Sequence, residues 1–511
     1  MTIKGFFNLK RLAAGLATLT VISALVFYFY TDYHLTAMYG GHTERADTPS
    51  FAERPEVLAI TNVSVLAPTS DSFSENQTVL VRDGNIVSIS SETIPSANAT
   101  QIDGRGMFLV PGYTDSHAHL WESKNDLMLF VANGVTQIRE MNGSEENLVW
   151  KKEIEEGRVG PDIFVVSPQV ANFGKLTGWF GAWTQRKRNA TSPDGFQQLV
   201  KSLENEGYDA IKASSFLNSE DYLALNEAMK ETSLPLVGHI PYFAKLDDFW
   251  AVNQTEVAHI EEFVKPLRQE FGYTAENAGG FLDFVRERSD EIAERLKDKN
   301  VHVTSTLALI DSLPEQVTDL DSLLSASQLQ YVNPGISEGT TLADRALGWL
   351  PEVNRYRFRD EWDNARRKEE VEYFQNYSAA LHIMLDAMLK KDVPILVGTD
   401  TNVSVMVPGF SVHEEMQSLN DAGMTTAQVL AAATSVPARW MGWKTGEIRP
   451  GFKANMVLLR ENPLLDIRAT DSIEMVVVNG NPLSRSQLDE MLLTVKAAND
   501  KSRKVSIEKW K

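Results

Sequence analysis

Val110-Pro111-Gly112-Tyr113-Thr114-Asp115-Ser116-His117-Ala118-His119-Leu120 reads as a strand that ends in two histidines. Side chains two apart on a strand share a face, so His117 and His119 present two imidazoles in one direction, as a shared metal ion would require. The alternative is a half-buried strand with both rings hydrogen-bonded. A bare His-x-His does not separate the two readings, and the rest of the chain has to.

Working outward, apolar runs of strand length recur at about 109–117, 134–140, 162–168, 208–214, 235–240, 256–261, 300–306 and 393–400. Helical stretches separate them, for example 195–206, 219–232 and 361–391. Eight strands alternating with helices predict a parallel (β/α)8 TIM barrel, whose chemistry sits where the strand C-termini converge. At those ends stand His117 and His119, Lys212 on the fourth strand, His239 on the fifth, His259 on the sixth and Asp400 on the eighth. Singly, each has a plain explanation: a hydrogen-bonded rim histidine, a lysine snorkelling to water, an aspartate capping the next helix. Five strands delivering metal-competent groups to one rim are hard to obtain from unrelated packing choices. With no cysteine among 511 residues, thiolate zinc sites, disulfides and a cysteine nucleophile are excluded, and any metal is held by nitrogen and oxygen.

The flanks of the barrel read differently. Short alternating strands around residues 60–65, 77–81 and 85–89, and again at 447–451, 454–459 and 475–480, predict a small β-sandwich composed from both ends of the chain. The resulting organisation is a composite sandwich at 56–110 and 444–482, a barrel at 111–443 and a helical tail at 483–511. The interval from Asp311 to Arg359 is too long for an ordinary connection and suits an active-site lid.

Ahead of this lies an uncharged run from Leu12 to Tyr30, behind Lys4, Lys10 and Arg11 and closed by Phe27-Tyr28-Phe29-Tyr30. At 1.5 Å per residue it makes a helix of about 28 Å, close to the thickness of a bilayer core. Residues 1–31 are therefore expected to be a transmembrane anchor, with a cleaved secretory signal as the alternative. Residues 32–55, lacking periodicity, are expected to be a tether. Either way the folded part is exported, and the lack of cysteine favours a bacterial inner membrane facing the periplasm. A net charge of -20 without a basic, aromatic-interleaved run excludes a nucleic-acid partner. Partners are then a small molecule and the membrane, and a homo-oligomer is compatible.

The strand-end set resembles the binuclear subtype of the amidohydrolase superfamily. Val110-Pro111-Gly112, Gly134-Val135-Thr136, Gly423-Met424-Thr425 ahead of Ala431-Ala432-Ala433-Thr434, and Gly446-Glu447-Ile448-Arg449-Pro450-Gly451 are similar to its imidazolonepropionase-like and prolidase-like branch. The resemblance implies that His117 and His119 hold a buried metal ion, that His239 and His259 hold a more exposed one, and that Lys212 bridges them as a carbamate formed with carbon dioxide. Asp400 would bind the first ion and serve as the catalytic base, then acid. The implied cofactors are two divalent ions, zinc foremost. The implied reaction is hydrolysis of an amide or peptide-like C–N bond, an Xaa-Pro dipeptide among the substrates, by a hydroxide shared between the ions. An ester, lactone or phosphotriester is the alternative on the same centre, and a catalytically silent scaffold is the third reading. Tyr242 and Arg139 are candidates for contacting the substrate, against rim packing for Tyr242 and an ion pair for Arg139. Asn455 departs from the family pattern, where an aspartate is expected.

Overall fold

The first helix, α1 (Ile3–Met38), carries no charged residue from Leu12 to Thr31, and residues 11–30 are exposed around the whole circumference. A computed structural model describes residues 3–47, 54–92, 98–340 and 347–511, with side chains from residue 11 onward. Residues 11–38 are long and apolar enough to cross a membrane.

Aliphatic and β-branched residues then build β1 (Val57–Leu66), β2 (Phe73–Arg82), β3 (Asn85–Ser90), β4 (Thr100–Asp103) and β5 (Phe108–Pro111). The barrel strands follow: β6 (Tyr113–Ala118), β7 (Val135–Glu140) and β8 (Asp162–Val165), then two-residue β9 (Val170–Ala171), which prolongs the line of β8, and β10 (Arg188–Asn189) beside β9. The ring continues with β11 (Ile211–Ala213), β12 (Leu236–Gly238), β13 (Glu256–Val257), β14 (His302–Thr304) and β15 (Ile395–Leu396). The chain returns to the first sheet with β16 (Met456–Leu459), β17 (Ile473–Val478) and β18 (Asn481–Ser484).

The first and last strands form one eight-stranded sheet in the order β18-β17-β16-β5-β1-β2-β3, with β4 beside β1. Its seam is the antiparallel pair β5 and β16, Val110 opposite Val457 and Leu109 opposite Leu458. Leu58, Ile60, Val79, Val81, Met456 and Leu458 pack into a core belonging to this sheet. At the expected departure, Asn455 donates from Nδ2 to Asp162 Oδ2 at 3.0 Å while its Oδ1 accepts from Asn479 N at 2.7 Å. An amide can do both; a carboxylate would repel Asp162.

The parallel strands close on themselves. β6, β7 and β8 pair in order, a bridge between Val166 and Ala210 leads to β11, and β11 pairs with β12. A bridge between Leu236 and Gln254 leads to β13, β14 and β15. Ser116 N donating to Val397 O and Asp400 N to His117 O, both at 2.8 Å, tie β15 and the residues after it to β6. This is an α/β fold consistent with a (β/α)8 barrel. Each barrel strand expected from the sequence is found near its place, most shortened to two to four residues, whereas the run at 447–451 forms no strand because the chain turns at Pro450 and Gly451, the latter at φ +84°.

A further expectation is corrected. Residues 32–47 do not form a free tether: α1 runs on to Met38, Leu35 and Met38 are buried against the body, and Thr43 Oγ1 donates to Asn333 Oδ1 at 2.5 Å. A Cβ on Gly335 would stand 2.1 Å from Ala37 O, so the helix end and the insertion are in close contact. The few anchoring side chains are too short a set to show periodicity. Residues 48–53 of the expected tether, and 341–346 of the insertion, lie outside the described residues.

Candidate metal centre

The C-terminal end of each barrel strand is where a buried, apolar run meets a polar residue, and these ends meet at one cavity of about 730 Å³. His117, His119, His239, His259 and Asp400 all line it. Lys212 is fully buried among them, with Nζ 3.5 Å from His117 Nε2. Asp400 Oδ1 lies 3.1 Å from His119 Nε2 and 3.5 Å from His117 Nε2. Ligand-type atoms of His117, His259 and Asp400 fall within 4.8 Å of one another. The ring centroids of His117 and His259 are 4.4 Å apart, and those of His239 and His259 5.3 Å.

The supporting hydrogen bonds are specific. Glu262 Oε1 meets His239 Nδ1 at 3.0 Å, and Thr306 Oγ1 meets His259 Nδ1 at 2.9 Å, which leaves each Nε2 for the cavity. Asp115, buried, accepts from His117 N at 3.0 Å, Thr399 N at 3.1 Å and Thr399 Oγ1 at 2.7 Å, so one carboxylate fixes both the β6 tip and the loop carrying Asp400. Asn402 Nδ2 donates to His119 O at 2.7 Å. Partners on the second ring nitrogen set tautomer and orientation in metal-binding histidines.

Electrostatics follow from burial. Desolvation holds His117 well below the usual 6.5, helped by Lys212 and His259. Burial likewise takes His259 down to about 4, against Asp400, and lowers His239, against Glu262. These imidazoles are neutral, the form that binds a metal. Burial works against protonated His119 too, but Asp400 and Glu140 outweigh it and its pKa is raised. Burial would raise Asp400, yet His119, His259 and Lys212 hold it well below the carboxylate range. Burial brings Lys212 down to about 8, against Asp400 and Glu256. His117 Nδ1 is buried without a hydrogen-bond partner, and His119 Nδ1 faces Glu140 Oε1 at 3.7 Å. Imidazoles of which His117, His239 and His259 are held neutral by burial, an ionised carboxylate and a lysine whose amine is far easier to deprotonate than usual are a donor set that fits divalent ions.

The two candidates for substrate contact fall elsewhere. Arg139, buried, pairs with Glu256 Oε1 at 3.0 Å and lies 4.4 Å from the Trp440 ring, outside the cavity wall. Tyr242 is half-exposed on a separate recess with Pro241, Glu262 and Lys265. The chain turns outward after His239, which spacing alone does not reveal. The wall instead holds Trp121, stacked 5.8 Å from His119, with Lys187, Arg355 and four residues of α1: Phe27, Thr31, Leu35 and Met38. Sequence reasoning missed the wall and also Glu262, Thr306, Asp115 and Asn402. Two of these stood in plain view, Asp115 beside the histidine pair and Glu262 three residues after His259.

Residues 108–483 match the amidohydrolase family. The chain belongs to that family. The imidazolonepropionase of Thermoanaerobacter pseudethanolicus is 22% identical over 414 residues, covering 77% of this amidohydrolase and 85% of the relative. A deacetylase of Brucella anthropi, 31% identical, aligns over 78 residues, 15% of this chain and 19% of that one. Among solved structures, a bottromycin amidohydrolase superposes with TM-score 0.64 at 21% identity, over 87% of this chain and 91% of that one. An Xaa-Pro dipeptidase superposes with TM-score 0.57 at 15% identity, over 84% and 100%. Proteins of the imidazolonepropionase-like and prolidase-like branch are thus among those this amidohydrolase resembles.

Proposed function

We propose that this amidohydrolase is a metal-dependent hydrolase of an amide or similar C–N bond, held at a membrane by α1 with its catalytic body exported. The observation that carries the chemistry is the meeting of His117, His259 and Asp400 within 4.8 Å, with His119, His239 and Lys212 at the same barrel end. His117, His119 and Asp400 would hold one divalent ion, zinc first among the choices, and His239 with His259 a second. Lys212, as the neutral amine, would bond to carbon dioxide and release one proton, giving the anionic carbamate that links the two sites. Bound there, two such ions supply Lewis acidity and acidify a water.

The chain's own residues do the rest. Asp400, kept ionised by His119, His259 and Lys212, takes the water proton as the hydroxyl oxygen bonds to the substrate carbonyl carbon. It then gives that proton to the nitrogen as the C–N bond breaks, so the acyl half leaves as a carboxylic acid and the other half as an amine. Glu262 and Thr306 hold His239 and His259 in orientation throughout.

An Xaa-Pro dipeptide remains a second reading. What favours it is Arg355 on the cavity wall, a cation that suits a terminal carboxylate, with Lys187 nearby, whose pKa burial and Lys212 lower to about 7 and which a carboxylate would help to hold protonated. The test is metal analysis joined to a substrate panel on the metal-replete protein. About two ions per chain and turnover of amides or Xaa-Pro dipeptides are expected. One ion at full activity removes the second site, and turnover of esters or lactones with none of any amide overturns the C–N assignment.

A further inference from the structure

The cavity has two kinds of wall. The histidines and Asp400 form a polar end, whereas Phe27, Leu35 and Met38 of α1, with Phe180 and Leu347, form an apolar flank. The helix supplying that flank is the one with membrane-spanning length and hydropathy. Its exposed part, residues 11–30, is about 30 Å long, the thickness of a bilayer core. The edge of the hydrocarbon therefore falls close to Tyr30, and Phe27 and Thr31, at that level, line the same cavity as the histidines.

An independent feature marks the same level. The short helix Gly178–Thr184 lies against α1: the Trp183 ring stacks on Tyr28 at 4.8 Å, and its Nε1 donates to Asp32 Oδ1 at 3.0 Å. Arg186, just beyond, reaches Asp32 at 3.6 Å and Glu122 at 3.2 Å. The same segment leaves Leu176 90% exposed and Trp179 66% exposed, neither of them part of the cavity wall. Large apolar side chains presented this way mark a contact surface, and amphipathic rings such as tryptophan are at home at headgroup depth. Their continuity with α1 through the Tyr28–Trp183 stack commits the surface to the bilayer from which α1 emerges.

We propose that the catalytic cavity opens at the membrane interface and that its substrate is an amphipathic amide with a long alkyl or acyl chain, drawn from the bilayer along α1. This rests on the anchor and amide-hydrolase readings above. A chain passing from lipid to the flank of Phe27, Leu35 and Phe180 exchanges one apolar surrounding for another, so the transfer itself costs little. The amide group then arrives at the polar end. A short soluble amide would leave the flank wet and gains nothing from the membrane.

The test uses the full chain reconstituted into phosphatidylcholine–phosphatidylglycerol vesicles. N-acyl amides with acyl chains of two to sixteen carbons are the substrates, alongside a fatty amide carrying a photoreactive group near its tail. Expected are a kcat/KM at least about tenfold higher for the longest chain than for the shortest, and photolabel on Phe27, Leu35 or Phe180. The paired variant Leu176→Glu/Trp179→Glu should lower turnover of the vesicle-borne long amide about tenfold and leave the shortest amide in solution unchanged. Circular dichroism and thermal melting confirm that the variant is folded. A flat chain-length profile, or photolabel confined to sites outside the cavity, overturns the proposal. Labelling of the cavity wall without turnover of any amide supports the membrane route and fails the amide reading instead. Loss of a dimer in the variant with unchanged vesicle kinetics assigns the surface to a second copy and overturns the proposal.

Discussion

Lys212 is the residue whose chemistry is most constrained by its place. It has no solvent exposure, and its amine is 3.5 Å from His117 Nε2, where a lasting ammonium would repel any divalent ion. Lys212→Ala is expected to lower metal occupancy and cut turnover by at least about 100-fold, with partial recovery on adding short carboxylic acids that return the missing oxygens. Two ions per chain and normal turnover in that variant would leave the lysine a packing role. Glu262 and Thr306 act one step back. Glu262→Gln and Thr306→Ala should each weaken metal binding about 10–100-fold, read by competition with a chelator, while the fold persists. His382 offers a titration remote from the centre. Its Nε2 meets Asp311 at 3.0 Å, and this hydrogen bond raises its pKa above the usual 6.5 against partial burial. A raised value means that the pair's contribution to stability is complete below the unfolded pKa and is lost as pH rises through the folded one. NMR should show His382 titrating above 6.5 and falling back in Asp311→Asn; no change on that substitution would dissolve the pair.

Among the elements, β6 and the loop after β15 matter most, because they bring His117 and His119 beside Asp400. Gly398 makes that approach possible: an added Cβ would stand 2.9 Å from His117 N and 2.3 Å from Thr304 Cγ2. Gly398→Ala must push the β15 end away from β6, so we expect a loss of about 1–3 kcal/mol in a denaturant melt together with weaker metal binding. A fall in stability with full metal affinity would show that the histidine pair does not depend on this approach. The elements also explain what was legible in the sequence. Strand ends announce themselves because an apolar run stops at a polar residue, so His117, His119, Lys212, His239, His259 and Asp400 could be found singly. Glu262 and Thr306 could not be paired with their histidines, since which ring nitrogen meets which neighbour depends on how two loops lie together. Tyr242 and Arg139 were chosen by nearness in sequence to a strand end, and nearness says nothing about which way the next residues turn.

On the scale of the whole molecule, the α1 contacts change what removal of the N-terminus should do. Leu35, Met38 and the Thr43–Asn333 hydrogen bond hold the helix end on the body, and α1 supplies four residues of the cavity wall. The full chain should sediment with membranes. A chain beginning at Glu53 should stay in the supernatant yet melt at a lower temperature, its insertion having lost a neighbour. An unchanged melt would make α1 a tether after all. None of this docking was visible beforehand: the barrel is written in a repeated alternation of strand and helix, but one helix end resting on one insertion repeats nowhere.

The seam between β5 and β16 has a consequence for synthesis. Val110 and Val457 lie side by side in the sheet although most of the chain separates them. On the export proposed above, the chain would deliver β5 early and β16 late, so that for most of its passage β5 would offer a bare strand edge able to pair with a neighbouring nascent chain. Holding such chains apart until β16, near the C-terminal end, has followed would then be the task of whatever receives them on the far side.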